Sequence, residues 1–164
     1  MSGIHIRPAQ PADADAIASI YNHYILNSNV TFDTVPKSVE DRVEWLAGHG
    51  PKHPVVVAEI DAVVVAWGSI SPWATRPAWG RTVEVSIYVS PTHTRLGIGP
   101  MLMEELAVRA KAAGHHALMS QIVGDNEPSL RLGERHGFAE VGRLREVGEK
   151  FGRWHDVVIL ERLI

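Results

Sequence analysis

The stretch from Thr82 to Gly114 narrows the possible folds more than any other part of the chain. Val83, Val85, Ile87 and Val89 alternate with Glu84, Ser86, Tyr88 and Ser90. This period-two run of β-branched and aromatic residues predicts a strand, which Pro91 ends. Gly97 and Gly99 open a turn, and Pro100 stands where a first helical residue tolerates proline. From Met101 the period becomes helical, with Leu102, Leu106, Ala110 and Ala113 on one face and Gly114 as the stop. Strand, glycine loop and helix in succession suit an anion. Glycines let the backbone approach closely, and unpaired N–H groups with the helix dipole favour a phosphate.

Seven predicted strands and four predicted helices share the chain in the order βααβββαβαββ. Ile4 and Ile6 mark a short first strand; Ile17, Ile20, Tyr21, Tyr24 and Ile25 mark an amphipathic helix. Asn27 to Pro36 is irregular, and a second helix follows, with Ser38 and Asp41 as a capping box and Val39, Val43 and Leu46 as its face. Val55–Ile60 and Val63–Ile70 form a hairpin around Asp61-Ala62, and Ser71–Arg81 is a loop. After the central unit come a strand over Ala117–Val123, a turn with Asn126 as cap, and a short helix over Pro128–His136 stopped by Gly137. Strands over Phe138–Val147 and Asp156–Leu163 finish the chain, joined by a loop that holds Lys150, Phe151, Arg153, Trp154 and His155. Such an order predicts a mixed α/β sheet, mostly antiparallel. At 164 residues the chain suits one domain, residues 1–164.

Composition excludes several classes. A net charge of −3 gives no bulk attraction to nucleic acid or an anionic membrane. No cysteine is present, which removes disulfides, thiolate nucleophiles and cysteine metal sites. No apolar run approaches the roughly 20 residues of a spanning helix, and the N-terminal run lacks the apolar core of a signal peptide, so a cytoplasmic protein is expected. The nine histidines show no metal-ligand spacing with supporting carboxylates, so no metal is expected.

The glycine pair by itself fits either a tight turn or a phosphate loop. It is no dinucleotide fingerprint, because the third glycine would fall at Leu102, and no Walker loop, because Gly-Lys-Ser/Thr is missing. Longer motifs sharpen the reading. Thr94-Arg95-Leu96-Gly97-Ile98-Gly99 is similar to the pyrophosphate loop of GNAT-type N-acetyltransferases, Gln/Arg-x-x-Gly-x-Gly/Ala after a strand. Asn22-His23-Tyr24, Thr82-Val83-Glu84, Tyr88-Val89, Asn126-Glu127-Pro128-Ser129, Gly137-Phe138 and the run Gly148–Asp156 resemble the phosphinothricin/methionine sulfoximine acetyltransferase branch. The resemblance covers nearly the whole chain. It implies the GNAT fold, acetyl-CoA as donor, a small amino-acid-like amine as acceptor and a homodimer.

The same resemblance implies site residues. The backbone at Ile87, Tyr88 and Val89 would pair with the pantetheine amides; Arg95, Leu96, Gly97, Ile98, Gly99 and Pro100 would hold the pyrophosphate; Asn126 and Ser129 would contact the cofactor. The acceptor would lie along Trp73, Ala74, Thr75 and Arg76, beside Phe32 and against Glu84, Val85 and Ser86.

Acetylation needs a neutral amine, since an ammonium has no lone pair, and a nearby carboxylate can take its proton. Glu84 is the candidate base; a solvated strand residue in an ion pair is the plain alternative. Arg76 or Arg81 would match a substrate carboxylate, or serve as solvated loop charges. Trp73, Trp79 and Phe32 wall a pocket, or else belong to the core or to a dimer contact. With no cysteine and no Gly-x-Ser-x-Gly elbow, direct transfer in a ternary complex is the expected mechanism.

Three positions depart from the family pattern. Thr94 replaces Gln or Arg, Pro100 removes one N–H from the loop, and Gly133 stands where a Tyr or His would protonate the leaving thiolate. Other readings are an N-acetyltransferase for a polyamine, an aminoglycoside or a protein N-terminus, and a non-catalytic acyl-CoA-binding regulatory module.

Overall fold

The structure, a computed structural model, describes residues 3–164; Met1 and Ser2 of the N-terminal run lie outside it. In chain order the elements are β1 (His5–Pro8), α1 (Ala14–Asn27), α2 (Val39–Ala47), β2 (Val55–Ile60), β3 (Val63–Pro72), β4 (Thr82–Val89), α3 (Ile98–Ala112), β5 (Ala117–Val123), α4 (Glu127–Arg135), β6 (Ala139–Lys150) and β7 (Arg153–Leu163). The seven strands make one sheet in the order β1-β2-β3-β4-β5-β7-β6. Every neighbouring pair is antiparallel except β4–β5, which is parallel. The expected mixed, mostly antiparallel α/β sheet with four helices is the observed one.

Both faces of the middle strands are covered. Val56, Ala58, Val83 and Val85 pack with Ile98, Leu102 and Leu106 of α3, while Val57 and Trp67 pack with Ile17, Ile20, Tyr21 and Ile25 of α1. That is why Val55 to Ala58 is an unbroken apolar run, buried throughout. Trp67, Tyr21 and Tyr88 meet as an aromatic cluster, with ring centroids 4.9 to 5.7 Å apart.

Local chemistry ends the elements. The Asp61-Ala62 turn closes the β2–β3 hairpin with both residues at positive φ, 51° and 63°. Ser38 and Asp41 form the reciprocal capping box, at 3.0 and 2.9 Å. α3 and α4 finish alike: the N–H two residues past the cap reaches back, His115 to Ala110 O and Phe138 to Gly133 O, each at 3.0 Å.

Three expectations change. α3 begins at Ile98 rather than Met101, so Pro100 is its third residue; it still breaks no hydrogen bond, since the first N–H groups of a helix have no partner within it. The buried face of α2 carries Arg42, not Val39 and Val43, which are 38% and 40% exposed. The Arg42 guanidinium lies 4.8 Å from the Trp45 ring, so its flat cation is covered by aromatic surface. The loop expected between the last strands is a two-residue turn, Phe151-Gly152, with Lys150 paired to Arg153. A bulge between Leu144 and Gly148 hides the ladder from the alternation. Glu146 takes φ 53° there, and its N–H is held by the Asp156 carboxylate at 2.9 Å.

Candidate active site

β4 and β5 part early. Their parallel pairing covers only Thr82–Glu84 against Ala117–Met119. β4 continues to Val89 and β5 to Val123, each paired with a strand only on its outer side, β3 and β7. The split opens a cleft of about 390 Å³. Val85, Ser86, Ile87, Tyr88 and Val89 form one wall, Ser120, Gln121 and Ile122 the other, and α3 and α4 close it through Gly99, Met103, Ser129 and Gly133.

The open end meets the N-terminus of α3. Gly97, at φ 78°, is the residue before the helix and takes a backbone shape that a side chain disfavours. Arg95 and Leu96 are exposed beside it, whereas the Ile98 side chain is buried and offers only its backbone. Pro100 is exposed on the first turn. Thr94 and Gly99 line the cleft itself. The Asn126 side chain caps α4 by accepting from Ser129 N at 3.4 Å, and both residues line the cleft.

Glu84 marks the closed end, in the last paired position before the strands diverge. It is half-buried, and burial pushes its carboxyl above the ordinary range, opposed by the Gln121 amide. Gln121 Nε2 stands 3.4 Å from each carboxylate oxygen. Along the same face of β4 lie Ser86 and Tyr88, whose phenol burial pushes up to about 12. The Tyr24 hydroxyl donates to the Val89 carbonyl at the other end of the strand.

The acceptor-side residues separate into groups. Val85 and Ser86 line the cleft, with Glu84 adjoining through Gln121. Trp73, Ala74, Thr75 and Arg76 lie in the β3–β4 loop, where Trp73 N donates to Thr82 O at 3.3 Å, and none of the four lines the cleft. Arg81 is engaged elsewhere: its Nε donates to Gly114 O at 2.6 Å and ties down the end of α3. Trp79 is exposed in a short turn. Phe32 leans on the last hairpin over Gly148, where an added Cβ would come within 2.2 Å of its ring. Next to it the buried Lys150 donates to Thr31 O at 2.8 Å, and burial lowers its pKa. His155 is buried in hydrogen bonds to Lys150 O and Asn29, both at 3.3 Å.

Gly133 packs against Leu160 of β7: a Cβ there would stand 2.6 Å from the Leu160 Cδ1. The side chain missing from α4 is thus partly replaced by a leucine methyl from the sheet. Gln121 and Ser120 escaped the sequence reading, which named Tyr24 only on the first helix and in the Asn22-His23-Tyr24 motif, with no role at the site. The one available signal was the Ser120-Gln121 pair interrupting an otherwise apolar strand.

Among the described residues, no group of three or more His, Asp or Glu stands ready for a metal, and no helix is long and apolar enough to cross a membrane.

The sequence pattern of the acetyltransferase (GNAT) family matches residues 17–138. A phosphinothricin N-acetyltransferase of Streptomyces viridochromogenes is 39% identical, over 97% of this chain and 87% of its own. An L-methionine sulfoximine/L-methionine sulfone acetyltransferase of Salmonella typhimurium is 34% identical, over 95% of this chain and 92% of its own. Among solved structures, a GNAT superfamily phosphinothricin acetyltransferase from Sinorhizobium meliloti, in complex with acetyl-CoA, superimposes with a TM-score of 0.95 at 31% identity, over 100% of this chain and 89% of its own. With the split strands, the glycine turn and a family match spanning most of its length, the chain belongs to the GNAT family of N-acetyltransferases.

Proposed function

We propose that the protein transfers the acetyl group of acetyl-CoA to the primary amine of a small amino-acid-like substrate of the phosphinothricin, methionine sulfoximine or methionine sulfone type. One observation carries the reading: the unpaired edges of β4 and β5 enclose a cleft with a helix N-terminus at one end and a half-buried carboxylate at the other. The named activities of the relatives supply the acceptor class.

The residues present suit the cofactor. An extended arm with amide groups finds strand without a β5 partner along Ile87, Tyr88 and Val89, where the Tyr24 hydroxyl already holds the Val89 carbonyl. Its phosphates find backbone N–H groups from Arg95 to Gly99, with Pro100 contributing none. Asn126 and Ser129 flank the opposite wall. When bound, acetyl-CoA supplies an activated acyl group on a thioester.

The chain's own part is proton handling and orientation. From Glu84 to Val89 the strand spans about 16 Å at ~3.3 Å per residue, which separates the phosphate end from the acceptor end. Glu84 accepts the proton of the attacking amine; its raised pKa makes it a stronger base than a surface carboxylate. Ser86 lies on the same face and steadies the acceptor; in this reading the Trp73–Arg76 loop, which joins β4 at Thr82, and Phe32, which packs on Gly148, approach the acceptor from outside the cleft lining, with Arg76 available to a substrate carboxylate. With no cysteine in the chain, transfer is direct within a ternary complex. Two such chains form a homodimer in this reading.

The test is thiol release from acetyl-CoA with phosphinothricin, methionine sulfoximine, methionine sulfone, spermidine, an aminoglycoside and a peptide N-terminus as acceptors. Turnover on the first three, with kcat lowered about 100-fold or more by Glu84→Gln, is the expected result. Turnover on the others alone discards the acceptor. Acetyl-CoA binding with no turnover on any acceptor discards the enzymatic reading. Light scattering measures the assembly, and a strict monomer removes the dimer.

A further inference from the structure

Gln121 is the residue that hydrogen-bonds the Glu84 side chain among the described residues, and it does so with both oxygens, each 3.4 Å from its amide nitrogen. Equidistant from the two oxygens of one carboxylate, the amide nitrogen shares one N–H between them, because its two N–H groups diverge too widely to reach one oxygen each. The strands produce this meeting. Glu84 pairs with Met119, and Gln121 lies two residues further along β5, on the same face, just where the ladder stops. The amide therefore reaches across the widening gap, and it lines the cleft, whereas Glu84 lies just outside the lining.

No cation in hydrogen-bond contact holds Glu84 among the described residues. The titratable groups on its face are Tyr88, four residues along β4, Glu161 of β7, in register with Met119, and His49, bonded to Ser71 Oγ at 3.2 Å where Ser71 pairs with Glu84. Burial disfavours the ionised carboxylate, and the donor from Gln121 favours it. An ionised carboxylate accepts at both oxygens, so a donor shared between the two favours that form and keeps the carboxylate facing Gln121.

We propose that Gln121 is a positioning residue for acetyl transfer: it holds the Glu84 carboxylate across the point where the strands split, ionised and turned toward the acceptor amine. This role rests on Glu84 being the base. It adds a residue from the opposite wall, so the geometry of the base depends on how far β4 and β5 stand apart.

The test is Gln121→Leu, which keeps the bulk and removes both donors. Carbon-13 NMR of the glutamate carboxyls, with Glu84→Gln identifying the resonance, measures the Glu84 titration without any turnover. It is expected to move to higher pH in Gln121→Leu. The acid limb of kcat/KM moves with it, kcat falls about tenfold, and KM for acetyl-CoA stays within about twofold. Thermal melting shows whether the variant is folded; should it not be, Gln121→Met serves in the same measurements. A Glu84 titration and an acid limb both unchanged in a folded variant overturn the role. If Glu84→Gln keeps full turnover, the assignment of the base has failed and this role falls with it. If Glu84→Gln is inactive and Gln121→Leu matches the parent, this role alone has failed.

Discussion

Gly133→Ala probes how α4 meets the sheet. An added Cβ would stand 2.6 Å from Leu160 Cδ1 and 3.6 Å from Phe138 Cβ. Carbon atoms prefer a separation of about 3.5–4.0 Å, so the Leu160 methyl must retreat by about 1 Å. Leu160 is 5% exposed and part of the main core, with little room to yield. Overpacking of this kind costs about 1–3 kcal/mol. Alanine in place of glycine returns up to about 1 kcal/mol of helix propensity, less near a helix end such as this one. The single substitution therefore destabilises by about 0–3 kcal/mol, the difference of those terms. Leu160→Ala removes the clashing methyl and costs about 2–5 kcal/mol by itself. In that background Gly133→Ala meets no obstacle and becomes stabilising by up to about 1 kcal/mol. The double-mutant cycle then yields a favourable coupling of about 1–3 kcal/mol. Urea denaturation of the four proteins at neutral pH measures it, with the midpoint moving at constant slope. A coupling below about 0.3 kcal/mol would mean that the two sites act independently and that Leu160 does not occupy the space left by Gly133.

Other consequences are testable in the same way. Because burial raises the Glu84 pKa, the folded protein binds its proton more tightly than the unfolded chain, so stability falls as pH rises from the unfolded to the folded value. Glu84→Gln removes that loss: it should melt above the parent near neutral pH and converge with it below about pH 4, and equal melting at both ends would contradict the burial argument. Asp13 behaves oppositely. Its carboxylate takes Arg7 at 2.8 and 2.9 Å and Gln10 N at 2.7 Å, and its pKa is lowered chiefly by the Arg7 hydrogen bonds. Its contribution is present above the unfolded carboxylate pKa and is lost as pH falls through the folded value, and Asp13→Asn should cost about 2–3 kcal/mol at neutral pH by denaturation. Gly97→Ala, at φ 78°, should cost about 1–2 kcal/mol and raise KM for acetyl-CoA, since the strained residue opens the phosphate turn; an unchanged KM would separate the turn from the cofactor.

Much of this protein was legible from local chemistry. Alternation along Thr82–Val89, the capping box at Ser38, the stop glycines Gly114 and Gly137 and the Asn126 cap each involve neighbours in sequence, so residue type and spacing suffice. The longer motifs pointed to the family for the same reason, since they sit on contiguous loop and strand residues. Burial patterns across elements were harder. Arg42 faces inward because Trp45 and Tyr21 cover its guanidinium, an arrangement that the apolar pattern of α2 does not announce. The β6–β7 ladder continued past a bulge held by Asp156, which lies ten residues from Glu146 in sequence.

The sequence alone determined the strand–turn–helix unit, the mixed sheet, and Glu84 as the carboxylate beside it. Only the tertiary structure decided where β4 and β5 stop pairing, and that point makes the cleft. It brought Gln121 to Glu84 across 37 positions, turned Arg81 away to the end of α3, and put Leu160 beneath Gly133. The physical reason is common to all of these. Periodicity and turn residues report which way a side chain points from its own strand or helix, but not which element lies opposite, and contacts between distant residues depend on register and divergence set by the whole sheet.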